Sequence, residues 1–122
     1  MGSCKSNFGH LRGTRCGIHA IAQHGIATRG VLIDHYAWAK KHGRPYDPFS
    51  GYAIPVSELE QVAKEQGVKF QPGDVFLVRS GYISKYYETL KENPAKLEAI
   101  AHDPAYAGVE QNEEMTKFLH DK

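Results

Sequence analysis

Two short apolar runs, each flanked by glycines and followed by charged or hydroxyl residues, constrain the fold more than any other feature of this sequence. The first is Gly30-Val-Leu-Ile33, followed by Asp34, and the second is Val75-Phe-Leu-Val78, followed by Arg79 and Ser80. Runs that are apolar at every position are typical of strands buried in a parallel sheet. About forty residues lie between the runs, which is enough for a helical crossover. The sequence therefore predicts an α/β fold with a parallel or mixed sheet.

The spacing of apolar residues and of helix-stopping glycines predicts six helices around these strands. The predicted helices span 15–24, 35–42, Ser57 to Gly67, 84–91, 95–102 and a last one that Asn112 opens. Ser57 and Glu60 fit a capping box, in which each side chain accepts from the backbone N–H of the other residue. Segment 44–55 contains three X-Pro steps, which predict an ordered, aromatic-rich loop. Two strands alone make a marginal sheet, so further strands are expected.

Composition limits the classes of function. The 122 residues, 41% of them apolar, fit one domain with a modest core. A net charge of +1, with acidic and basic residues mixed along the chain, argues against a nucleic-acid partner. Two cysteines are too few for a disulfide scaffold and favour a reducing, cytoplasmic compartment. No apolar stretch approaches the ~20 residues of a membrane span, and no secretory signal core is present.

The first residues match a lipidation pattern. Met1-Gly-Ser-Cys-Lys-Ser6 satisfies the pattern for N-myristoylation of Gly2, and Cys4 could take palmitate. Two acyl chains would anchor the protein stably, whereas a membrane is not an expected partner without them. The alternative is that the Gly-Ser start is a fragment end and matches by chance, because the pattern fixes only a few positions. In either case residues 1–16 are expected to form a polar, flexible leader.

Polar residues at the ends of the predicted strands are candidates for a substrate pocket. They are Arg29, Asp34, Arg79 and Ser80. Ligand sites of α/β sheets collect beside strand ends, where guanidinium donors could meet a substrate carboxylate or carbonyl. The alternative is that an arginine pairs with Asp34 or Asp74, in which case the ion pair would hold two loops together without binding a ligand.

Two further groups of residues have a chemical interpretation and a structural one. The aromatic residues in segment 46–52 could line a pocket, or they could form the small core of their own loop. Glu110, Glu113 and Glu114 could include a general acid or base. Carboxylates at a helix start, however, ordinarily stabilise the helix dipole.

The histidines and cysteines do not predict a metal site. Five of the seven histidines lie between His10 and His42, but they lack the closely spaced ligand pairs of zinc sites. Cys16 has His19 or His24 as a neighbouring base, yet no third group is in place to orient that base. We therefore predict neither a metal ligand nor a catalytic nucleophile among these residues.

Five ordered sequence blocks resemble a known family. The blocks are Gly25-Ile-Ala-Thr-Arg-Gly-Val-Leu-Ile-Asp34, Tyr46-Asp-Pro-Phe49, Ile54-Pro-Val-Ser-Glu-Leu-Glu60, Gly73-Asp-Val-Phe-Leu-Val-Arg-Ser-Gly81 and Ala107-Gly-Val-Glu-Gln-Asn-Glu-Glu-Met115. Their order and spacing resemble the cyclase-like metal-dependent hydrolases, which include kynurenine formamidase and isatin hydrolase, and most closely the fungal branch of that family. The resemblance implies a swivelling β/β/α fold, of which residues 17–122 would be the central part. Glu110 and Gln111, which lie in the last block, are two further pocket or strand-end candidates.

The resemblance also implies a divalent metal, commonly zinc or manganese, whose bound water attacks an amide, formamide or lactam carbonyl. The family's ligands come mainly from a His-x-Gly-Thr-His-x-Asp type motif upstream of the first block. His10-Leu-Arg-Gly-Thr-Arg15 is one residue too long and has an arginine in place of the second histidine, and a guanidinium cannot bind a metal ion. We expect this chain alone to hold no metal tightly and to carry no catalytic residue of the family.

Two explanations of the missing motif remain open. The chain could be a truncated part of a hydrolase that acts on a small amide or formamide, as in tryptophan catabolism. It could instead be a short relative that lost catalysis and kept a binding or oligomerising surface, for example in a homo-oligomer. Under both explanations, we expect little or no hydrolase activity from this chain by itself.

Overall fold

The computed structural model of the protein describes residues 18–121, which form a mixed α/β structure, as predicted. In chain order the elements are α1 (Ile18–His24), β1 (Gly30–Ile33), α2 (His35–Lys41), β2 (Ala53–Ile54), α3 (Val56–Glu65), β3 (Val75–Val78), α4 (Tyr82–Glu92), α5 (Pro94–His102), β4 (Gly108–Val109) and α6 (Glu113–Asp121). The sequence motifs around Gly2, Cys4, His10 and Cys16, and the predicted start of the first helix at residue 15, lie outside the described residues.

The strands form two small parallel sheets. In the first, β1 pairs with β3, in a register that places Gly30 opposite Val75 and Ile33 opposite Val78. Both strands have the bounds predicted from the sequence, and their parallel pairing is confirmed. In the second sheet β2 pairs with β4, and these two-residue strands are the additional ones that the sequence analysis expected.

The predicted capping box at the start of α3 is wrong. Helix α3 begins at Val56, so Ser57 lies inside the first turn, and no side chain caps the helix. Pro55 holds the N-cap position in an extended conformation, and its carbonyl oxygen accepts from the N–H groups of Glu58 and Leu59. The proline ring fixes φ near the value that this position needs, so the helix starts without a side-chain cap.

Helix α4 begins at Tyr82, two residues before its predicted start. Gly81 occupies its N-cap position with φ of 85°, a left-handed conformation that favours glycine. A Cβ atom at Gly81 would lie 2.5 Å from Cδ2 of the Tyr36 ring. The turn between β3 and α4 is therefore restricted to glycine both by its backbone conformation and by its contact with α2.

The core lies on one face of the β1–β3 sheet. Ile33 and the α3 residue Leu59 are fully buried there, with Phe118 of α6 packed in the same cluster. On the opposite face, Leu32 and Leu77 are about half exposed, at 52% and 48%. The fully apolar runs predicted burial on both faces of this sheet, but within residues 18–121 only one face is covered. None of the described helices combines the length and apolar character needed to cross a membrane.

Candidate functional site

An ion pair joins the two strands at their carboxyl ends. Because β1 and β3 are parallel, Asp34 and Arg79 lie at the same edge of the sheet, and Arg79 Nη1 contacts Asp34 Oδ2 at 2.7 Å. The other carboxylate oxygen of Asp34 accepts from the backbone N–H of Ala37 at 3.0 Å and thereby caps α2. The Arg79 carbonyl oxygen accepts from the N–H of Tyr36 at 3.1 Å. Both candidates therefore hold α2 against the strand ends.

Arg29 lies at the opposite edge, beside the amino ends of the strands. Its guanidinium donates two hydrogen bonds to Asp74, with Nε to Oδ1 at 2.8 Å and Nη2 to Oδ2 at 2.6 Å. Nη2 also donates to the carbonyl oxygen of Lys69. The hydrogen bond from Arg29 holds the pKa of the Asp74 carboxyl below its usual value, and the same bond raises the pKa of Arg29. Arg29 and Arg79 thus make the two ion pairs that the sequence analysis gave as the alternative to ligand binding.

A groove lies beside the strand end that carries Arg79. It has a volume of about 440 Å³ and is lined mainly by apolar side chains, including Leu32, Leu77 and Ile83; Arg79 and Ser80 also line it. We call it the strand-end groove. The Arg79 side chain is 46% exposed. An apolar cleft with few polar groups is typical of small-molecule sites.

Glu110 and Gln111 lie apart from the strand-end groove, at the end of β4. The backbone N–H of Glu110 donates to the Ile54 carbonyl oxygen at 2.9 Å and extends the β2–β4 ladder. Both residues line a different groove of about 350 Å³, together with Asn112 and Met115. Asn112 Oδ1 accepts from the N–H of Met115, which is the helix-opening role predicted for Asn112. Glu113 and Glu114 occupy the first turn of α6, where carboxylates favour the helix dipole.

A buried histidine forms the interior part of the site. His35, the first residue of α2, is fully buried, and its Nε2 lies 2.7 Å from Oε2 of Glu58 on α3, which is 4% exposed. Nδ1 of His35 lies 3.1 Å from the hydroxyl of Tyr46. That hydroxyl donates to the Ser80 carbonyl oxygen at 3.2 Å. A continuous hydrogen-bonded chain therefore links the core to the turn after β3.

Two further side chains contact the Glu58 carboxylate. The Tyr52 hydroxyl donates to Oε2 at 3.0 Å, and Arg44 Nη2 lies 2.7 Å from Oε1. The rings of Tyr46 and Tyr52 are stacked, with centroids 4.4 Å apart. Burial raises the pKa values of both phenols, and the hydrogen bond to Glu58 raises that of Tyr52 further. The aromatic residues of the loop thus form a small core around His35 and Glu58.

Sequence reasoning missed the pair of His35 and Glu58. Its only local signal is that Glu58 lies one turn before Val62, on the apolar stripe of α3, where a carboxylate needs a buried partner. Nothing in the spacing names His35 as that partner, because 23 residues separate the two side chains. Within residues 18–121, no three His, Cys, Asp or Glu side chains come together in a group that could hold a metal ion.

The chain resembles a known protein family along most of its length. Residues 7–122 match the family described as "Putative cyclase". The chain belongs to this family. Separate searches of curated proteins and of solved structures found no match. The cyclase family match includes the strand-end groove, the ion pair of Asp34 with Arg79 and the buried pair of His35 with Glu58, and it confirms the family resemblance seen in the five sequence blocks.

Proposed function

We propose that this cyclase-family chain is part of a metal-dependent hydrolase that cleaves the C–N bond of a small amide or formamide, and that the chain alone has little or no hydrolase activity. The match over residues 7–122 is the observation that supports the reaction class, together with the motifs that resemble the fungal branch. Zinc or manganese would supply an activated water in such an enzyme. The described residues do not form a ligand set, so we assign no metal-dependent step to them.

The strand-end groove supports a substrate-binding role for this chain. The apolar side chains of the groove suit the ring of an aromatic amide. Arg79 lines the same groove, and its guanidinium could donate to a carbonyl or carboxylate of the substrate. The guanidinium carries five N–H donors, while its side-chain partners are Asp34 at 2.7 Å and Ser84 at 3.5 Å. Arg79 can therefore hold Asp34 and still donate to a ligand. Ser80 also lines the groove and has a hydroxyl that could bind the same polar group.

The test compares binding and hydrolysis of N-formylkynurenine by the 122-residue chain. We expect amide chemical shifts at Leu77, Arg79 and Ser80 to change on binding, and we expect no turnover with zinc or manganese added. Arg79→Gln should weaken binding about 10- to 150-fold, because a hydrogen bond to a charged group is worth about 1.5–3 kcal/mol. Arg29→Gln is the matched control, since it removes an ion pair at the opposite end of the same strands.

Two results would contradict the proposal. Metal-stimulated hydrolysis by this chain alone would show that it holds a complete active site. Equal loss of binding in the Arg29 and Arg79 variants would show that the groove depends on general stability and not on the Arg79 guanidinium.

A second candidate, a binding or oligomerising relative without catalysis, is favoured by the exposed face of the β1–β3 sheet. Leu32, Val75 and Leu77 expose 44–52% of their surface on this face. A parallel sheet ordinarily has both faces covered. Light scattering of the purified chain at increasing concentration distinguishes the two candidates, because a stable oligomer without ligand binding would favour this one.

A further inference from the structure

The geometry points to His35 as a buried imidazolium, protonated on both ring nitrogens, that positions the turn after β3. This inference concerns a group that the proposed hydrolysis does not use, and it does not depend on that reaction. It rests on counting donors and acceptors around a fully buried ring, because each hydrogen bond needs one proton and one acceptor.

The hydrogen bond at Nδ1 requires a proton on the ring. The Tyr46 hydroxyl has one proton, which it donates to the Ser80 carbonyl oxygen at 3.2 Å. Since a carbonyl oxygen can only accept, the hydroxyl is left as the acceptor in its 3.1 Å contact with Nδ1 of His35. Burial raises the pKa of Tyr46, so the phenol keeps its proton.

The hydrogen bond at Nε2 also requires a proton on the ring. Its partner Oε2 of Glu58 lies at 2.7 Å, within the range of a charge-assisted hydrogen bond. The same carboxylate contacts the guanidinium of Arg44 at 2.7 Å and accepts from the Tyr52 hydroxyl. With donors at both of its oxygens, the Glu58 carboxylate is the acceptor in these contacts, so Nε2 of His35 is the donor.

The surroundings of the ring suit a cation. The rings of Trp38, Tyr46 and Tyr52 have centroids 5.4–6.1 Å from that of His35, and aromatic faces attract positive charge. The charged and titratable groups nearest the ring come from each element packed around it. They are Asp34 before α2, Tyr36 on α2, Arg44, Tyr46 and Tyr52 in the loop, and Glu58 on α3.

The charged ring has a structural consequence at the strand-end groove. Only the doubly protonated ring can donate both to Glu58 and to the Tyr46 hydroxyl. Because that hydroxyl donates to the Ser80 carbonyl oxygen, the charged ring connects Glu58 on α3 to the turn after β3. Loss of either ring proton removes one bond of this chain. His35 is thus a positioning residue for Ser80 and, through the adjacent peptide, for Arg79.

The direct test is the proton count on His35, measured in the ¹⁵N-labelled chain at neutral pH. We expect two one-bond N–H correlations from this ring, both exchanging slowly with solvent. A single correlation would overturn the inference, because a neutral imidazole carries one ring proton. Wild-type protein is sufficient for this measurement, so the result does not depend on whether a variant folds.

Two variants with matched controls test the positioning role. Glu58→Gln keeps the shape of the side chain and removes its charge, and we expect it to lose one of the two ring correlations, whereas Glu60→Gln on the exposed side of α3 should keep both. Tyr46→Phe should shift the amide signals of Ser80 and Gly81 and speed exchange of the Nδ1 proton. Tyr106→Phe, on an exposed ring, should change neither. Unchanged Ser80 and Gly81 signals in Tyr46→Phe would contradict the positioning role.

Discussion

Arg29 and Asp74 join the amino ends of β1 and β3 through two parallel hydrogen bonds, 2.8 and 2.6 Å long. Asp74 also accepts from the backbone N–H of Gln71 at 2.8 Å, so one carboxylate holds both the partner strand and its own turn. The equivalent pair at the carboxyl ends, Asp34 with Arg79, has a single hydrogen bond between the two side chains, and Arg79 lines the strand-end groove. The two ends of the sheet therefore differ in their ion pairs: Arg29 donates two hydrogen bonds to Asp74 at the amino end, and Arg79 donates one to Asp34 at the carboxyl end.

The ion pair of Arg29 with Asp74 predicts a loss of stability in acid. The pKa of Asp74 is lower in the folded chain than its ordinary value of 3.8, mainly because of the Arg29 hydrogen bond. Its stabilisation is therefore complete above the ordinary carboxyl pKa and is lost as pH falls through the lower folded-state pKa. Thermal melts between pH 2 and 7 should show a smaller acid-dependent fall for Asp74→Asn than for wild type. The exposed Asp103→Asn should match wild type, and equal curves for all three proteins would contradict the prediction.

Part of the fold could be predicted from the sequence because the signal is local. The runs Gly30–Ile33 and Val75–Val78 are apolar throughout and bounded by residues that favour turns, and both strands were predicted to the residue. The start of α3 was missed, because Pro55 sets the backbone there without the side-chain cap that the Ser57 pattern suggested. Local patterns therefore predicted the existence of elements better than their ends.

The candidate site was less predictable, because its contacts join distant parts of the chain. Parallel pairing brings Asp34 and Arg79 together across 45 residues, which the two strand predictions allowed us to anticipate as one alternative. The pairing of His35 with Glu58 depends on how α2 packs against α3. The spacing of apolar residues along each helix does not predict how the two helices pack against each other. The pocket roles of Arg29, Glu110 and Gln111 stay predictions, and the three residues lie away from the strand-end groove.

The turn at Gly81 predicts a large loss of stability on substitution. Gly81→Ala would place a Cβ 2.5 Å from the Tyr36 ring at φ of 85°, so either the ring or the turn must move. We expect a fall of about 2–4 kcal/mol in the free energy of unfolding, measured with urea. Gly67→Ala is the control, because φ is also positive there and no atom lies within 4 Å of the added Cβ. We expect the control to cost about 1 kcal/mol, and equal losses would exclude the contact with Tyr36 as the cause.

The exposed face of the β1–β3 sheet predicts an effect on self-association. Leu77→Lys adds charge at a position that is 48% exposed, so it should alter the stability of the monomer by less than about 1 kcal/mol. If this face makes contacts between copies of the chain, light scattering should show less association for the variant than for wild type. Leu90→Lys, on a residue of α4 that is 41% exposed, is the control. An equal decrease in both variants would indicate a general effect of charge and not a role of the sheet face.

The buried carboxylate of Glu58 predicts the largest electrostatic effect on stability. Glu58→Ala removes the only carboxylate that contacts the His35 ring within the described residues, and it also frees Arg44 and the Tyr52 hydroxyl. Removing one partner of a buried ion pair costs about 3–5 kcal/mol, because the remaining charge stays out of water without compensation. Denaturant unfolding should show a loss of this size, and Glu60→Ala on the exposed side of α3 should cost less than about 0.5 kcal/mol. The double variant Glu58→Leu with His35→Leu should recover much of the loss, because apolar residues of similar size need no partner. If the double variant is as unstable as Glu58→Ala, the loss comes from packing and not from an unpaired charge at His35.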